Sequence, residues 1–341
     1  MTEDSTPPQD TPEQPENTER TERWDCSGPA ELDLSLDVGR IEVALDEAVT
    51  SVRLTLRADE HGGGWTRGLS GVLGWINEVT GPSGSIRIGN REFNLRSKDL
   101  GFGGPDIDLT GLAGSDLGDE AVRATEVRWS EPRLVVRSPS TLPLRIVPLV
   151  LTVAAPAQSR ITLRTGAGDI TVTGPAGTAS VNTVSGSVEL DDVAGNLEVG
   201  TGSGRATVGA VAGRLQAKTA SGDLSLAEVH GPAQLRTGSG DLRLGLVRAD
   251  LHARTASGDL VVQDAEAGTY DLTTGSGNLR VGVHAGVAAR LDLRSGSGQV
   301  RSDLDVNDSA PPSGGSAKLD IHGRTGSGDV LVTRALSAAA S

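Results

Sequence analysis

Thr237-Gly238-Ser239-Gly240-Asp241-Leu242 is the clearest copy of a phrase that returns nine times between residues 165 and 329. Its leading residue recurs at a constant step, at Thr165, Thr183, Thr201, Thr219, Thr237 and Thr255, and then more loosely at Thr274, Ser295 and Thr325. Self-similarity at a fixed step is typical of stacked architectures in which each repeat contacts only its neighbours. The sequence therefore predicts an all-β, single-chain β-solenoid with about 18 residues per turn.

Each repeat carries the alternation expected of half-buried strands. A Gly-x-Leu-x-Leu segment (240–244) is accompanied by a second apolar pair, as in Val229 and Leu235. Stacked turns lie about 4.8 Å apart, so nine turns predict a rod roughly 40 Å long. We expect the corner threonines to stack and hydrogen-bond along the rod, and the glycine after each serine to permit a backbone bend. The apolar spacing fits a flattened two-sided roll and a three-sided coil equally well.

The composition limits the functions that the chain can have. Its 341 residues include only 2% aromatic residues, and its single cysteine, Cys26, excludes an intramolecular disulfide framework. The net charge of -14 argues against nucleic-acid binding, which needs Lys and Arg gathered on one face. No apolar run approaches the ~20 residues that span a bilayer, and the acidic, Pro-rich start is unlike a signal peptide. We therefore expect a cytoplasmic protein without a transmembrane segment.

Four segments follow from the pattern along the chain. Residues 1–22 are rich in Pro and acidic side chains and are predicted to be a disordered tail. Residues 23–160 are predicted to be an N-terminal β region whose Gly39-Arg40-Ile41-Glu42-Val43 forms an early solenoid turn, interrupted by an insertion at 59–127. Residues 161–335 are the regular repeats, with a Pro- and Gly-rich loop at 307–317 between the last two turns. Residues 336–341 are predicted to be a frayed tail.

The insertion contains an apolar stripe at steps of three and four residues, which predicts an amphipathic helix over 65–79. Its apolar side chains are candidate partner-docking residues: Trp65, Leu69, Val72, Leu73 and Ile76. The helix could dock on a protein or make peripheral contact with a membrane surface, although Arg67 against Glu78 gives little attraction to anionic lipid. The interpretation we favour is that it caps an open end of the stack, since solenoids need caps.

One slot of the repeat suggests a metal site. Asp223, Asp241 and Asp259 occupy it on consecutive turns, and calcium-binding β-rolls have turns of the same length. Against calcium, the same slot holds Arg205 and Gln299 in other turns, which a ligand position would not accept. The residue before the leading Thr or Ser is often cationic, and we expect this column to offset the carboxylates instead. Its members are Arg164, Lys218, Arg236, Arg254, Arg294 and Arg324. The sequence therefore predicts no metal and no other cofactor, with this ladder as the weaker alternative.

Other constellations give no chemistry. The histidines do not recur in one slot, and Cys26 has no neighbours that suggest a thiolate site, so we expect it to be a small packing residue beside Trp24. The Gly-Ser-Gly segments lack the following Lys and the helix of a phosphate loop, and no Gly-x-Ser-x-Gly elbow is present. A sugar-acting solenoid enzyme needs paired carboxylates in an aromatic-lined cleft, and after residue 130 the only aromatic residue is Tyr270. We therefore predict no catalytic residues.

The repeated Thr-Gly-Ser-Gly-Asp-Leu phrase, with the Trp24 and Gly39–Val43 lead-in, resembles the bacterial β-strand-repeat proteins named "putative adhesins". That family is related to the toastrack domain and has no defined activity. The resemblance covers about residues 24–335 and implies a β-solenoid, with a role in envelope-stress signalling or surface contact. It offers no catalytic residues.

These observations together predict a non-enzymatic interaction scaffold in the cytoplasm, with a protein partner that the sequence does not identify. The long ladder faces would present repeated Ser, Thr, Asp and Arg side chains to that partner. The alternative function is a surface adhesin that binds glycan or matrix, exported by a route the sequence does not reveal. The oligomeric state is not fixed by the sequence.

Overall fold

The computed structural model describes residues 19–59, 85–88, 91–94, 115–142, 144–304 and 318–335. Four predicted features lie outside these residues. They are most of the N-terminal tail, the helix over 65–79 with its candidate docking side chains, the loop at 307–317 and the frayed tail at 336–341.

The N-terminal part of the chain contributes these elements: β1 (Arg20–Asp25), β2 (Glu31–Asp46), β3 (Ser51–Ala58), β4 (Ser85–Ile88), β5 (Arg91–Asn94), α1 (Ser115–Ala124), β6 (Glu126–Ser130), β7 (Arg133–Arg137), a 3-10 turn (Leu144–Ile146) and β8 (Leu149–Pro156). The repeats contribute β9 (Arg160–Ala167), β10 (Ile170–Thr173), β11 (Thr178–Ser185), β12 (Val188–Leu190), β13 (Leu197–Thr201), β14 (Ala206–Val211), β15 (Leu215–Thr219), β16 (Leu224–Val229), β17 (Ala233–Thr237), β18 (Leu242–Val247), β19 (Leu251–Ser257), β20 (Leu260–Ala265), β21 (Gly268–Ser276), β22 (Leu279–Val283), β23 (Ala289–Ser295), β24 (Val300–Ser302), β25 (Leu319–Ser327) and β26 (Val330–Arg334).

The repeats stack as parallel rungs, which confirms the predicted solenoid. Residues one repeat apart pair directly, as Leu224 does with Leu242 and Thr219 with Thr237. We call the ladder that contains Leu224 face A and the ladder that contains Thr219 face B. Each turn supplies one strand to each face, and the repeated phrase joins the strand of face B to the strand of face A.

The cross-section has two long sides and one short side. After a gap of one residue in the ladder, the strands of face A continue into a second short pairing that joins Val211 to Val229 and Val229 to Val247. Val193 bridges to Val211 in the same column. The cross-section therefore combines the two interpretations of the sequence. It has the two long sides of a flattened roll, and its third side is a ladder of only one or two residues per turn.

β2 is the early turn that the Gly39–Val43 segment predicts. Its first part pairs with β9 on face B and its second part with β10 on face A, where Ile41 lies opposite Ile170. The same strand pairs on its other side with β7 and β8. The first turn in the sequence is therefore the second in space, because the segment 133–156 lies outside it.

Antiparallel strands and a helix close this end of the rod. β1 pairs with β3, β3 pairs with β8, and β6 pairs with β7, all antiparallel. Trp24 of β1 and Trp129 of β6 stack with ring centroids 5.5 Å apart, and Ala121 and Val122 of α1 are fully buried. Because β1 begins at Arg20, the prediction that residues 20–22 belong to a disordered tail is wrong: backbone pairing with β3 holds them.

The C-terminal end repeats the same exchange of order. β25 pairs with β21 on one side and with β23 on the other, and β26 lies likewise between β22 and β24. The last turn of the chain is therefore inserted between the two preceding turns, and β23 and β24 form the end of the described stack. The turns at this end therefore do not follow one another in chain order. Gly323 of the inserted turn leaves room for Leu279 and Leu293 of its two neighbours, because a methyl group there would lie 2.5 Å and 3.0 Å from their side chains.

The core is a thin aliphatic column. Inward positions of both faces are buried along the repeats up to β22, as in Leu242, Leu244 and Leu251, and become partly exposed in β23 and β24. Tyr270 is the one aromatic residue in this column. Its ring is fully buried, and its hydroxyl donates a hydrogen bond of 2.7 Å to the carbonyl oxygen of Val247.

Candidate functional site

The glycine column of the phrase is required by the close approach of successive turns. Gly204, Gly222 and Gly240 lie one above another, and a methyl group on any of them would overlap the carbonyl oxygen of the glycine one turn before. A left-handed backbone conformation adds to this at Gly186 and Gly328, where φ is 127° and 143°. The backbone bend predicted from the sequence thus accounts for glycine at a few positions. Along the rest of the column glycine is required because a side chain would overlap the turn before.

The threonine column is largely buried and bonds to the backbone. The hydroxyls of Thr219 and Thr237 accept hydrogen bonds from the glycine N–H three residues later, at 2.9 and 3.0 Å. The hydroxyl of Thr274 instead donates to the carbonyl oxygen of Gly258 in the neighbouring turn, at 3.0 Å. The expected ladder of hydroxyl-to-hydroxyl bonds is therefore replaced by hydroxyl-to-backbone bonds that fasten each corner.

The aspartate slot also serves the backbone. Oδ1 of Asp223 accepts the backbone N–H of Asp241 at 3.1 Å, and Oδ1 of Asp241 accepts that of Asp259 at 2.9 Å. Asp329 continues the column by accepting the N–H of Gln299 at 2.8 Å, in the order that the inserted turn imposes. One oxygen of each of these carboxylates is thus occupied by a bond that links neighbouring turns.

The charge of this column is balanced differently from the prediction. Arg205, which interrupts the slot in the sequence, lies 3.7 Å from Asp223, and Arg243 lies 2.8 Å from the carboxylate of Asp241. The cationic column before the threonines does not supply these ion pairs: the described pairs of its members join Arg164 to Asp33 and Arg294 to Asp292. Among the described residues no group of three or more His, Cys, Asp or Glu side chains is arranged to hold a metal ion. The calcium ladder stays an untested alternative.

That cationic column is the candidate binding surface. Lys218, Arg236 and Arg254 are exposed and directly opposite one another on three consecutive rungs of face B. Within the described part of the chain no hydrogen bond or ion pair involves their side chains. Like charges placed directly opposite on neighbouring strands are unfavourable, so the surface is suited to an anionic partner.

The four histidines that the structure describes each lie near a single carboxylate on the surface. His284 lies 2.9 Å from both oxygens of Asp264, and His230 lies 3.0 Å from Glu228. The nearby pair of Arg248 and Glu266, at 2.7 Å, raises the pKa of the arginine and lowers that of the glutamate through their shared hydrogen bond. Each of these contacts joins only two surface residues, and none of them forms the cluster that metal or acid–base chemistry needs.

Cys26 is buried, as predicted, and its thiol donates to the carbonyl oxygen of Gly28 at 3.0 Å. It lines a cleft of about 440 Å³ together with Thr50, Val49 and Pro156, where Glu47 is the only carboxylate. The cleft therefore offers no nucleophile–base pair.

Helices of membrane-spanning length and apolarity are not found among the residues that the structure describes. The predicted docking residues Trp65, Leu69, Val72, Leu73 and Ile76 lie outside those residues, so their role as a cap or a docking surface stays a prediction. Sequence reasoning identifies the basic column but predicts that it balances the carboxylates. That Lys218, Arg236 and Arg254 have no ion partner among the described residues could not be predicted, because ion pairing depends on which side chains of neighbouring turns lie close together.

Comparisons with known proteins identify the family. The chain resembles the crystal structure of a "putative adhesin" from Bacteroides fragilis NCTC 9343, with 11% identity and a TM-score of 0.42 over 93% of this chain and 98% of that one. A "putative cell adhesion protein" from Clostridium sporogenes ATCC 15579 matches with 8% identity and a TM-score of 0.20 over 94% of this chain and all of the other. A search of curated proteins found no match. The model of the Toastrack DUF4097 family matches residues 124–333, which include every regular repeat, and the chain belongs to that family.

Proposed function

We propose that this protein is a non-catalytic interaction scaffold whose face B binds an extended, acidic protein segment. The observation that carries the proposal is the column of Lys218, Arg236 and Arg254, exposed on consecutive rungs and free of ion pairs with described residues. The rungs hold the three cations about 4.8 Å apart in a fixed line. A partner with several carboxylates along an extended chain would meet them in succession and would relieve their mutual repulsion.

A protein segment suits this surface better than a sugar or a nucleic acid. Gln216 and Gln234 lie two positions before Lys218 and Arg236 on the same side of face B, where their amides can bond to a peptide backbone. Stacking on sugar rings or bases needs exposed aromatic side chains. The only aromatic residue of the repeats, Tyr270, is buried.

The non-catalytic character is supported by what the described surface offers. Its described histidines each lie near a single carboxylate, and the cleft beside Cys26 lacks a nucleophile with a base. A family without a defined activity is consistent with this. The proposal includes a cytoplasmic location, and a link to envelope-stress signalling that the resemblance to the β-strand-repeat proteins implies. Cell fractionation tests the location, and protein found outside intact cells would contradict it.

The binding test uses a synthetic peptide that alternates Asp or Glu with Ser, and a control peptide with Asn and Gln in place of the acids. The Lys218→Gln, Arg236→Gln, Arg254→Gln triple variant should bind the acidic peptide at least about tenfold more weakly, because three charge contacts are lost. The matched control changes Arg53, Arg57 and Arg123 to Gln. These arginines are also exposed, lie near the capped end, and remove the same charge.

The outcomes separate the proposals. Binding that weakens with salt and is lost only in the face B variant supports the scaffold. If both triple variants bind the acidic peptide equally weakly, net charge alone is responsible for the binding, and the assignment of face B is overturned. Tighter binding to an anionic polysaccharide than to the acidic peptide would favour the adhesin alternative.

A further inference from the structure

The two ends of the rod differ. At one end β1, β3 and β6 run antiparallel to the stack and α1 packs beneath them, so the parallel rungs stop at a cap. At the other end β23 and β24 are the outermost rungs, and each pairs on one side only with a described strand. A strand with a free edge presents unpaired N–H and C=O groups to any chain that can pair with them.

At this second end, side chains that lie in inward columns are only partly covered by neighbouring residues. Val300 occupies an inward column in which Val330 and Leu279 are fully buried, yet it is 45% exposed. Leu291, Leu293 and Leu304 pack against the core and are only partly buried.

Both edge strands carry the same charge pattern. Face B ends with Arg290-Leu291-Asp292, and face A ends with Arg301-Ser302-Asp303, where Asp303 still bonds through its backbone N–H to Val332. The middle residue of each triplet lies in an inward column and the two charges point outward. If such a strand pairs antiparallel with a copy of itself around the middle residue, each arginine lies opposite the aspartate of the copy.

We infer that this end is the interface of a two-fold homodimer, in which β23 and β24 pair antiparallel with the same strands of a second copy. A two-fold axis across the end of the rod reverses strand direction, as antiparallel pairing requires. On face B, Leu291 meets its own copy and Ala289 meets Leu293. On face A, Val300 meets Leu304. The half-buried residues thus complete a continuous core, while Arg290 meets Asp292 and Arg301 meets Asp303.

The side-chain alternation and the charges disfavour the neighbouring arrangements. Pairing centred on Leu293 would set Asp292 against Arg294 but leave Arg290 without an opposite charge. A shift of one residue in register would place inward side chains on the outer face. Antiparallel pairing centred on Asp292 would set Arg290 against Arg294 and Asp292 against itself, which is unfavourable. The end of one rod is small compared with ordinary dimer interfaces of about 1,200–2,000 Å², so the dimer should be weak and dependent on concentration.

The test is sedimentation velocity on the full chain from about 1 µM to about 1 mM, a range that covers weak association. The wild-type protein should shift from monomer to dimer. Arg290→Asp should weaken the dimer at least about tenfold, because two like-charge pairs replace two attractive ones. The charge exchange is made on face A, because exchange at Arg290 and Asp292 would set like charges against Asp320 and Arg294 within the chain. The double variant Arg301→Asp, Asp303→Arg should dimerise as the wild type does, whereas Arg301→Asp alone should weaken the dimer, since in the double variant the opposite charges are exchanged rather than lost. A thermal melt of each variant checks that the fold is intact.

Val300→Lys tests the apolar contact, and Val184→Lys is its matched control. Val184 is 68% exposed on the side of the rod, away from both ends. Only the change at Val300 should abolish the dimer. A monomer at every concentration would overturn the inference. So would a dimer that survives Arg290→Asp and Val300→Lys, or growth beyond two copies.

Discussion

At the scale of single residues, Gly240 and Gly28 make a matched pair. A methyl group on Gly240 would overlap the carbonyl oxygen of Gly222, whereas a methyl group on Gly28 meets nothing within 4 Å. Gly240→Ala should therefore lower the free energy of unfolding by roughly 2 kcal/mol, because two stacked backbones must separate. Gly28→Ala should change it by less than about 0.5 kcal/mol. Urea denaturation measures both, and equal effects would show that the column does not depend on close approach.

Tyr270 gives the rod a dependence on alkaline pH. Burial raises the pKa of its hydroxyl far above the usual value, and the charge of Asp264 adds to the shift. The unfolded tyrosine ionises near pH 10. The folded state therefore retains a proton that the unfolded state loses, and the free energy of unfolding should fall by up to about 1.4 kcal/mol per pH unit above that pH.

Tyr270→Phe isolates this contribution. The variant should lose about 1 kcal/mol at neutral pH, because the carbonyl of Val247 loses its hydrogen bond, and should show a shallower decline above pH 10. The chain contains one tyrosine, so phenolate absorbance reports this residue alone. Absorbance that rises near pH 10 while the protein is still folded would contradict the buried hydroxyl.

At the scale of elements, the sequence predicts the rungs but not their order. The constant step of the phrase determines which residues pair, and the early turn at Gly39–Val43 follows from its likeness to the phrase. The order at the ends does not follow, because the turns beginning at Thr274, Ser295 and Thr325 carry nearly the same phrase. The residue that fits the inserted turn to its place is Gly323, where a methyl group would overlap the side chain of Leu279, and that contact joins residues far apart in the sequence. In the same way the role of Arg205 in the aspartate slot is hidden in the sequence, because its ion pair with Asp223 joins two turns.

Cysteine cross-linking tests the inserted turn. In a Cys26→Ser background, Arg294→Cys with Arg324→Cys should oxidise to a disulfide, because these outward residues are direct neighbours across β23 and β25. Adjacent rungs lie about 4.8 Å apart, within the range that a disulfide spans. Thr273→Cys with Arg294→Cys should not cross-link within one molecule, since about 10 Å separates rungs two steps apart. The opposite pattern on non-reducing gels would show that the turns follow the order of the sequence.

At the scale of the whole molecule, the rod behaves as a row of similar units that contact only their neighbours. The columns of glycine, threonine and aspartate each link one turn to the next, and the basic column of face B exists only because the rungs keep one register. A binding surface of this kind is a property of the stack rather than of any one repeat. The side chains of the corner phrase therefore hold the turns together, while the proposed binding surface lies beside them on face B.

Deleting one complete turn should therefore leave a folded protein. Removal of residues 219–236 joins Lys218 to Thr237 and keeps every column in register, because the deletion equals one whole repeat. The rod should shorten by about 4.8 Å in small-angle scattering and lose only part of its stability. Removal of residues 219–227 is the control. It deletes half a repeat, places face A residues in face B, and should abolish cooperative unfolding, because inward and outward side chains exchange. If both deletions fold equally well, the columns do not specify the register of the stack.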